Sequence, residues 1–386
     1  MAGKRFGARL AIEATIGILT VAGLCYTAFA LNRVVAFAGR PVERDDASPL
    51  VTVLKPLHGA EPLLAQKLRS FCDQDYPAYE VVLGVRDASD PALVVARGVT
   101  ANFGDFVRVV LADEDTPRHA NPKANTLAGM IPHVRGEILV IADSDMRVNP
   151  DWLRAITAPF ADPRVGAVTC LYRGEPADDG LASTLGAMAN QEHFAPSVLV
   201  AQALGPLRYT FGSTMAVRRE LFERIGGLGA LGAHLADDAR LGELVAERGL
   251  RVHLSRYVVA NVVSEPSLRA LWNHEVRWAR THRALRPAGY AGLFLTYPVP
   301  LAVLWVALSR GRSRGAALGA LAAAIGLRFE LRLATCAGFS AQLIGSPWLV
   351  PLRDVLGLAV WAAAYGSRKI AWGCDAFNIS ADGTLT

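Results

Sequence analysis

Apolar positions follow two regimes along this chain: long, nearly uncharged runs toward both ends, and short blocks of strand and helix periodicity between them. From Ala14 to Leu31 an uncharged stretch has the length of a bilayer crossing. It exceeds a signal h-region and lacks an obvious small-residue cleavage site, so it reads as a retained anchor. Between about Val51 and Trp278 the punctuation is globular. Leu50-Val-Thr-Val-Leu54 predicts a first strand, Lys55-Pro-Leu-His-Gly59 a loop, and Pro62 to Cys72 a helix. Tyr79 to Val85 predicts a second strand, Pro91 to Phe103 a helix and Val107 to Leu111 a third strand. Asn121-Pro-Lys123-Ala-Asn125 opens a helix over Thr126 to Pro132. Glu137-Ile-Leu-Val-Ile-Ala142 is a continuous apolar run, too short for a typical helix and suited to a strand buried on both faces. This alternation predicts parallel pairing with right-handed crossovers. Further helices are expected over Ala239 to Arg248 and Ser267 to Leu285.

After Tyr290 the apolar character returns in segments near Tyr290 to Leu308, Ala316 to Cys336 and Leu333 to Gly366, which predict about three carboxyl-terminal membrane segments. Arg328, Glu330 and Arg332 interrupt one of them, and Arg353-Asp354 another. Charges at membrane depth are costly, so these residues either bound shorter re-entrant pieces or line a lipid-accessible groove.

At 386 residues the chain has room for one globular domain of about 230 to 250 residues beside its membrane segments. The net charge of +5 raises nucleic acid as a partner, but arginines from Arg277 to Arg286 and Arg310 to Arg314 flank apolar spans, which assigns the excess to a membrane surface and not to nucleic acid. Lys4, Arg5 and Arg9 precede the first span while Arg33 and Arg40 follow it, so local charge does not orient the domain. Cys25, Cys72, Cys170, Cys336 and Cys374 show no paired metal spacing and an odd total, which argues for a reducing compartment and against a disulfide framework.

The chemistry gathers at strand ends. Asp143 and Asp145 fall at the carboxyl end of the Glu137–Ala142 strand, where open α/β sheets bind ligands. Two carboxylates one residue apart suit a hard divalent cation that takes its remaining oxygens from water and a substrate diphosphate; Asp-Ser-Asp is also ordinary turn chemistry. Asp87 ends the second strand and fits either a contact to a base or ribose edge or a helix cap. Lys123, at a helix start, fits a phosphate contact shared with free backbone N–H groups, or a solvated lysine. Asp237-Asp238 precede an amphipathic helix, so one carboxylate can cap it while the other, Asp238, faces a cleft as a base. Arg277 and Trp278 sit on the Ser267–Leu285 helix, in which Leu268, Leu271, Trp272, Glu275, Trp278 and His282 recur at helical spacing, and fit a helix lying in the membrane interface.

Lys55-Pro-Leu-His-Gly59, Val85-Arg-Asp87, Asn121-Pro-Lys123, Ala142-Asp-Ser-Asp145, Ala236-Asp-Asp238, Arg277-Trp278 and a closing Asp382-Gly-Thr-Leu385 stand in the order and context of the ceramide glucosyltransferase family, an inverting GT-A group that this chain resembles over nearly its whole length. Ala142 to Val148, Thr169-Cys-Leu-Tyr-Arg-Gly174, Phe211-Gly-Ser-Thr214 and His274-Glu-Val-Arg-Trp-Ala-Arg280 resemble its bacterial hopanoid-biosynthesis branch more closely. The resemblance implies an α/β GT-A domain with a mixed, mainly parallel sheet, and transmembrane helices at both ends. It implies Asp87, Asp143, Lys55 and Lys123 at the nucleotide-sugar, Asp145 and Asp143 on Mg²⁺ or Mn²⁺, Asp238 as base, and Arg277 and Trp278 near the donor diphosphate and acceptor. His274 stands where the family carries Gln or Arg, which leaves a packed or interfacial role open to it.

The expected organisation is an anchor over 1–40, a cytoplasmic catalytic domain over 41–265, an interfacial helix over 266–289, membrane or re-entrant helices over 290–370 and a tail over 371–386. The implied enzyme is a multi-pass hexosyltransferase of a bacterial inner membrane, its domain facing the cytoplasm where nucleotide sugars are made. The partners are the bilayer, a UDP-sugar and a lipid acceptor: UDP-N-acetylglucosamine with a hopanoid such as bacteriohopanetetrol first, UDP-glucose with ceramide second. A processive polysaccharide synthase and a non-catalytic membrane scaffold are the rival readings.

Overall fold

The computed structural model describes residues 2–43, 47–112, 116–367, 369–372, 375–378, 380 and 383–384; Cys374, Asp382 and Leu385 lie outside the described residues. The chain divides into a globular unit (40–179, 204–264 and 371–386) and a helical unit (1–39, 180–203 and 265–370).

The globular unit is built on an eight-stranded sheet: β1 (Val51–Leu57), β2 (Tyr79–Val85), β3 (Val107–Leu111), β4 (Ile138–Ile141), β5 (Met146–Arg147), β6 (Val165–Pro176), β7 (Met215–Arg218) and β8 (Arg251–Val263) lie in the order β3-β2-β1-β4-β7-β6-β8-β5. β1 runs parallel to β2 and β4, β2 parallel to β3, and β6 parallel to β8. β7 is antiparallel to β4 and β6, and β5 to β8. The parallel half follows from βαβ units whose strands are buried on both faces; every residue of β1 and β4 is buried.

β1 continues through Lys55-Pro-Leu57, where a loop was expected. Leu54 O accepts from Ala142 N at 3.1 Å, so Pro56 turns its nitrogen to the same side, past the last β4 pairing at Ile141, where its missing donor costs nothing. The helix expected from Thr126 begins at Pro122, with Pro at its first position and Asn121 as its cap. Phe71, from the helix Leu64–Cys72, packs edge-on against Trp152 at 5.0 Å beneath the sheet's working edge.

In the helical unit, the helix Ala2–Ala38 packs against Pro298–Leu308 and Arg312–Gly338, with Leu24, Val299, Ala302, Leu321, Ala324 and Ile325 sharing one apolar cluster. By length and composition Gly7–Ala38 and Leu349–Gly366 can each cross a membrane. Pro287–Thr296 and Pro298–Leu308, bent by 64°, add a third span if they count as one. The expected segment Leu333–Gly366 is not continuous: Arg312–Gly338 ends there, left-handed backbone at Ser340 and Gly345 breaks the path, and a new helix begins at Leu349.

The charges that interrupt these apolar runs are mostly buried and paired. Arg328 Nε donates to Asp354 Oδ1 at 2.9 Å, its Nη1 donates to Glu192 O at 3.1 Å, and its Nη2 lies 2.7 Å from His193 Nε2. Arg353 forks onto Glu275 with both bonds at 2.7 Å. A π-helical turn, Asn190–Phe194, carries Glu192 and His193 into this network. Glu330, by contrast, is exposed. Because removing one member of a buried pair strands the other charge, Arg328→Met is expected to cost about 3–5 kcal/mol of stability. A thermal midpoint of the purified protein equal to that of the parent would show that the network is not what holds these helices.

Candidate active site

The turn after β4 is held from several sides. Asp143 N donates to Gly212 O at 2.9 Å, and the buried Lys55 ammonium donates to Asp143 O from beneath, over the Phe71 ring at 3.8 Å. Burial pulls Lys55 down to about 7 against the opposing charges of Asp145 and Asp143. Ser144 Oγ donates to Glu61 Oε1 at 2.7 Å. Asp145 receives Asn261 Nδ2 on Oδ2 at 2.7 Å and Val262 N on its carbonyl at 2.9 Å, while its Oδ1 is buried with no hydrogen-bond partner. Burial, and then the charge of Asp143, push the Asp145 carboxyl up to about 6.

Lys123 joins this turn to the second aspartate pair. Its ammonium lies 2.7 Å from Asp143 Oδ1 and 3.1 Å from Asp237 Oδ2. Burial pulls Lys123 down, but Asp143 and Asp237 outweigh it and hold the ammonium above its ordinary range. The backbone N–H groups of Lys123 and Ala124 both go to the Asn121 side chain, at 2.8 and 3.4 Å, so Lys123 reaches the site without the free helix-terminal donors expected beside it.

The helix over Asp237–Glu247 includes both aspartates, and neither caps it; its cap residue is Ala236, with no side-chain cap bond. Asp237 faces Lys123 instead. Asp238 receives Gly212 N on Oδ2 at 3.0 Å and Ala239 N on Oδ1 at 2.7 Å. Burial first, and then the adjacent Asp237 charge, raise Asp238 to about 7. Gly212 therefore touches both motifs, donating to one and accepting from the other. A Cβ built on Gly212 would stand 2.0 Å from Asp143 Oδ2, so Gly212→Ala displaces the carboxylate of Asp143. We expect that variant to lose metal and donor affinity by roughly 10-fold or more; calorimetric titration of Mn²⁺ with UDP checks it, and unchanged binding would contradict it.

Asp87 lies on the same carboxyl edge, after β2, and is exposed. It takes Ser89 N at 2.8 Å and Ser89 Oγ at 2.7 Å on one oxygen, and these bonds hold it below its ordinary range. The neighbouring helix Pro91–Thr100 is capped by Asp90, through Ala92 N at 2.8 Å, and not by Asp87. Arg277 and Trp278 belong to the helical unit, on the helix Leu268–Leu285. There His274 pairs with Glu265 and meets Trp278 edge-on at 4.6 Å, a packed histidine.

Asn261 and Glu61 were not read from the sequence as part of this edge: Asn261 arrives from the end of β8 and Glu61 from the first crossover, with no motif to mark either. Gly212 sits within the Phe211-Gly-Ser-Thr214 run, but the run alone says nothing of the contact.

A mixed, mainly parallel sheet with paired carboxylates at its carboxyl edge and an apolar helix at each end is a GT-A-type fold of the nucleotide-sugar transferases. A family model described as Glycosyl transferase family 21 matches residues 15–385, and the chain belongs to that family. Among curated relatives it is 24% identical over 247 residues to ceramide glucosyltransferase 1 of Caenorhabditis elegans, covering 64% of this chain and 52% of that protein. It is 26% identical over 246 residues to beta-monoglucosyldiacylglycerol synthase of Trichormus variabilis, covering 61% of this chain and 50% of that one. The chain thus spans about half the length of these relatives. Among solved structures, mannosyltransferase PcManGT from Pyrobaculum calidifontis, in complex with GDP-Man and Mn²⁺, aligns with a TM-score of 0.54 at 23% identity, covering 85% of this chain and 98% of that one, a likeness of fold.

Proposed function

We propose that this chain transfers a sugar from a UDP-sugar to a hydroxyl of a membrane lipid, with inversion at the anomeric carbon. The observation that carries the reading is the contact set linking Asp143, Lys123, Asp237 and Asp238 at the carboxyl edge of the sheet. Asp238, raised to about 7, is the base. It takes the proton of the acceptor hydroxyl as that oxygen bonds to the anomeric carbon, and the carbon–oxygen bond to UDP breaks on the opposite face with its electron pair passing to the diphosphate.

The partnerless Oδ1 of Asp145, one residue from Asp143, fits a hard divalent cation. Asp145 and Asp143 would hold Mg²⁺ or Mn²⁺, which when bound neutralises charge on the leaving diphosphate. Among the described residues no group of three or more His, Cys, Asp or Glu side chains is placed to hold a metal, so the remaining ligands would come from donor and water. Lys123 turns to the diphosphate, Asp87 to the nucleoside, and Lys55, buried under Asp143, acts by fixing the turn. Arg277 and Trp278, in the helical unit, serve the lipid at the membrane interface.

The preferred pair is UDP-N-acetylglucosamine and a polyol hopanoid, on the resemblance of Ala142 to Val148 and His274 to Arg280 to the bacterial branch. A second reading, ceramide with UDP-glucose, is favoured by the name of the Caenorhabditis elegans relative. The two apolar helices support a membrane protein; the topology proposed is multi-pass, with the catalytic domain on the cytoplasmic face where the donor is made.

Purified full-length protein in phospholipid vesicles containing bacteriohopanetetrol or ceramide, given UDP-N-acetylglucosamine or UDP-glucose with Mn²⁺ or with EDTA, tests the proposal. Glycolipid is expected from the hopanoid with UDP-N-acetylglucosamine, and none in EDTA. Product from ceramide and UDP-glucose alone would move the assignment to the second reading, and UDP release indifferent to every lipid would sink the lipid acceptor.

A further inference from the structure

Lys67 is a lysine in the wrong place for a surface helix: its side chain is 1% exposed, on the inner face of Leu64–Cys72. Buried ammonium groups persist when paired, and this one lies 2.6 Å from Glu61 Oε2. The other oxygen of Glu61 accepts the Ser144 hydroxyl at 2.7 Å, so one carboxylate connects a buried cation to the middle residue of Asp143-Ser-Asp145. The backbone between Glu61 and Lys67 is itself constrained. Leu63 adopts a left-handed conformation (φ 57°), and Leu64 N closes the turn onto Glu61 O at 3.2 Å. A non-glycine residue in that region is unfavourable and persists where its surroundings over-determine it. The side chain of Leu63 is exposed, so apolar burial does not account for the strain.

We propose that Glu61 and Lys67 form a positioning pair which, through Ser144, fixes the rotation of the Asp143–Asp145 turn and so aims the partnerless Asp145 Oδ1 at the divalent cation and diphosphate. Asn261 completes the hold by donating its Nδ2 to Asp145 Oδ2. Asp143 is fixed at its backbone by Gly212 and Lys55, and Asp145 by Val262 N on its carbonyl and Asn261 on its carboxylate, so the Ser144–Glu61 bond braces the middle of a turn whose two ends are anchored elsewhere. The inference rests on the metal-assisted reading above and deepens it by adding Glu61 and Lys67 to the residues that act on that site.

The test is Mn²⁺ binding to the full-length protein in the presence of UDP, followed by electron paramagnetic resonance, beside its thermal midpoint and the KM for UDP-sugar. Removing an outer-shell partner of a metal ligand lowers affinity by about 10- to 100-fold, so Ser144→Ala and Glu61→Gln are each expected to weaken Mn²⁺ binding by about 10-fold. Ser144→Thr, which keeps the hydroxyl, should retain it. Because Glu61 acts through Ser144, the Ser144→Ala/Glu61→Gln double variant should bind no more weakly than Glu61→Gln. Glu61→Gln leaves Lys67 without its counter-charge and can fail to fold; Ser144→Ala leaves the Glu61–Lys67 pair intact and decides the matter alone. Mn²⁺ affinity unchanged in Ser144→Ala, with only the thermal midpoint lowered, overturns the positioning role. Absence of Mn²⁺ binding in the unsubstituted protein overturns the metal reading, and this proposal with it.

Discussion

Asp238→Asn is expected to lower the rate of sugar transfer by roughly 10³-fold while leaving UDP-sugar affinity unchanged, because a positioned base contributes about 10²- to 10⁴-fold. Asparagine is nearly isosteric; with its amide oxygen on the Gly212 N–H it keeps the bond joining the two motifs and gives up the one from Ala239 N. The parent enzyme should show the matching pH dependence. Burial and the Asp237 charge raise Asp238 to about 7, so the fraction carrying the reactive carboxylate grows as pH rises through that value. Activity should climb across the neutral range and fall away below it, with a midpoint belonging to the Asp237–Asp238–Lys123 set as a whole. A transfer rate flat across that range, or an Asp238→Asn variant with near-parental turnover, would remove Asp238 from the role of base.

The second large effect is expected from Lys123→Met. Lys123 is the cation between Asp143 and Asp237, and methionine keeps its length without its charge. Asp237 is buried, so its carboxylate is stranded, and stranding one partner of a buried pair costs about 3–5 kcal/mol. Lys123 is held above its ordinary range, so the ammonium persists throughout the neutral range and the loss should appear at every pH there. Thermal unfolding of parent and variant measures it. A variant that unfolds at the parental temperature yet binds UDP-sugar weakly would assign Lys123 to the donor alone.

Much of the parallel half was legible because its strands are short apolar runs bounded by turn residues: the β2 and β3 limits agree with the periodicity residue for residue. Its carboxyl edge was legible for the same reason, since a strand that ends in Asp-Ser-Asp places those residues at a ligand crevice whatever lies farther away. The rest depends on pairings distant in sequence. β6 and β8 pair residues as distant as Val165 and Arg251 through a register shift between Cys170 and Leu171, and nothing local marks Asn261 as the neighbour of Asp145. The Asp237-Asp238 motif was visible, but its partition was not. Helix capping is the local expectation for either carboxylate, and long-range contacts with Lys123 and Gly212 displace it. The carboxyl-terminal apolar runs were misjudged in their breaks, because Ser340 and Gly345 turn the chain inside what reads as one hydrophobic segment.

The most direct test of the central claim is the anomeric configuration of the lipid-linked product made by the purified protein from an α-linked UDP-sugar, read from the proton coupling of its anomeric carbon. Attack by a hydroxyl that Asp238 deprotonates, on the face opposite the departing UDP, predicts a β-linked glycolipid. An α-linked product would contradict the account.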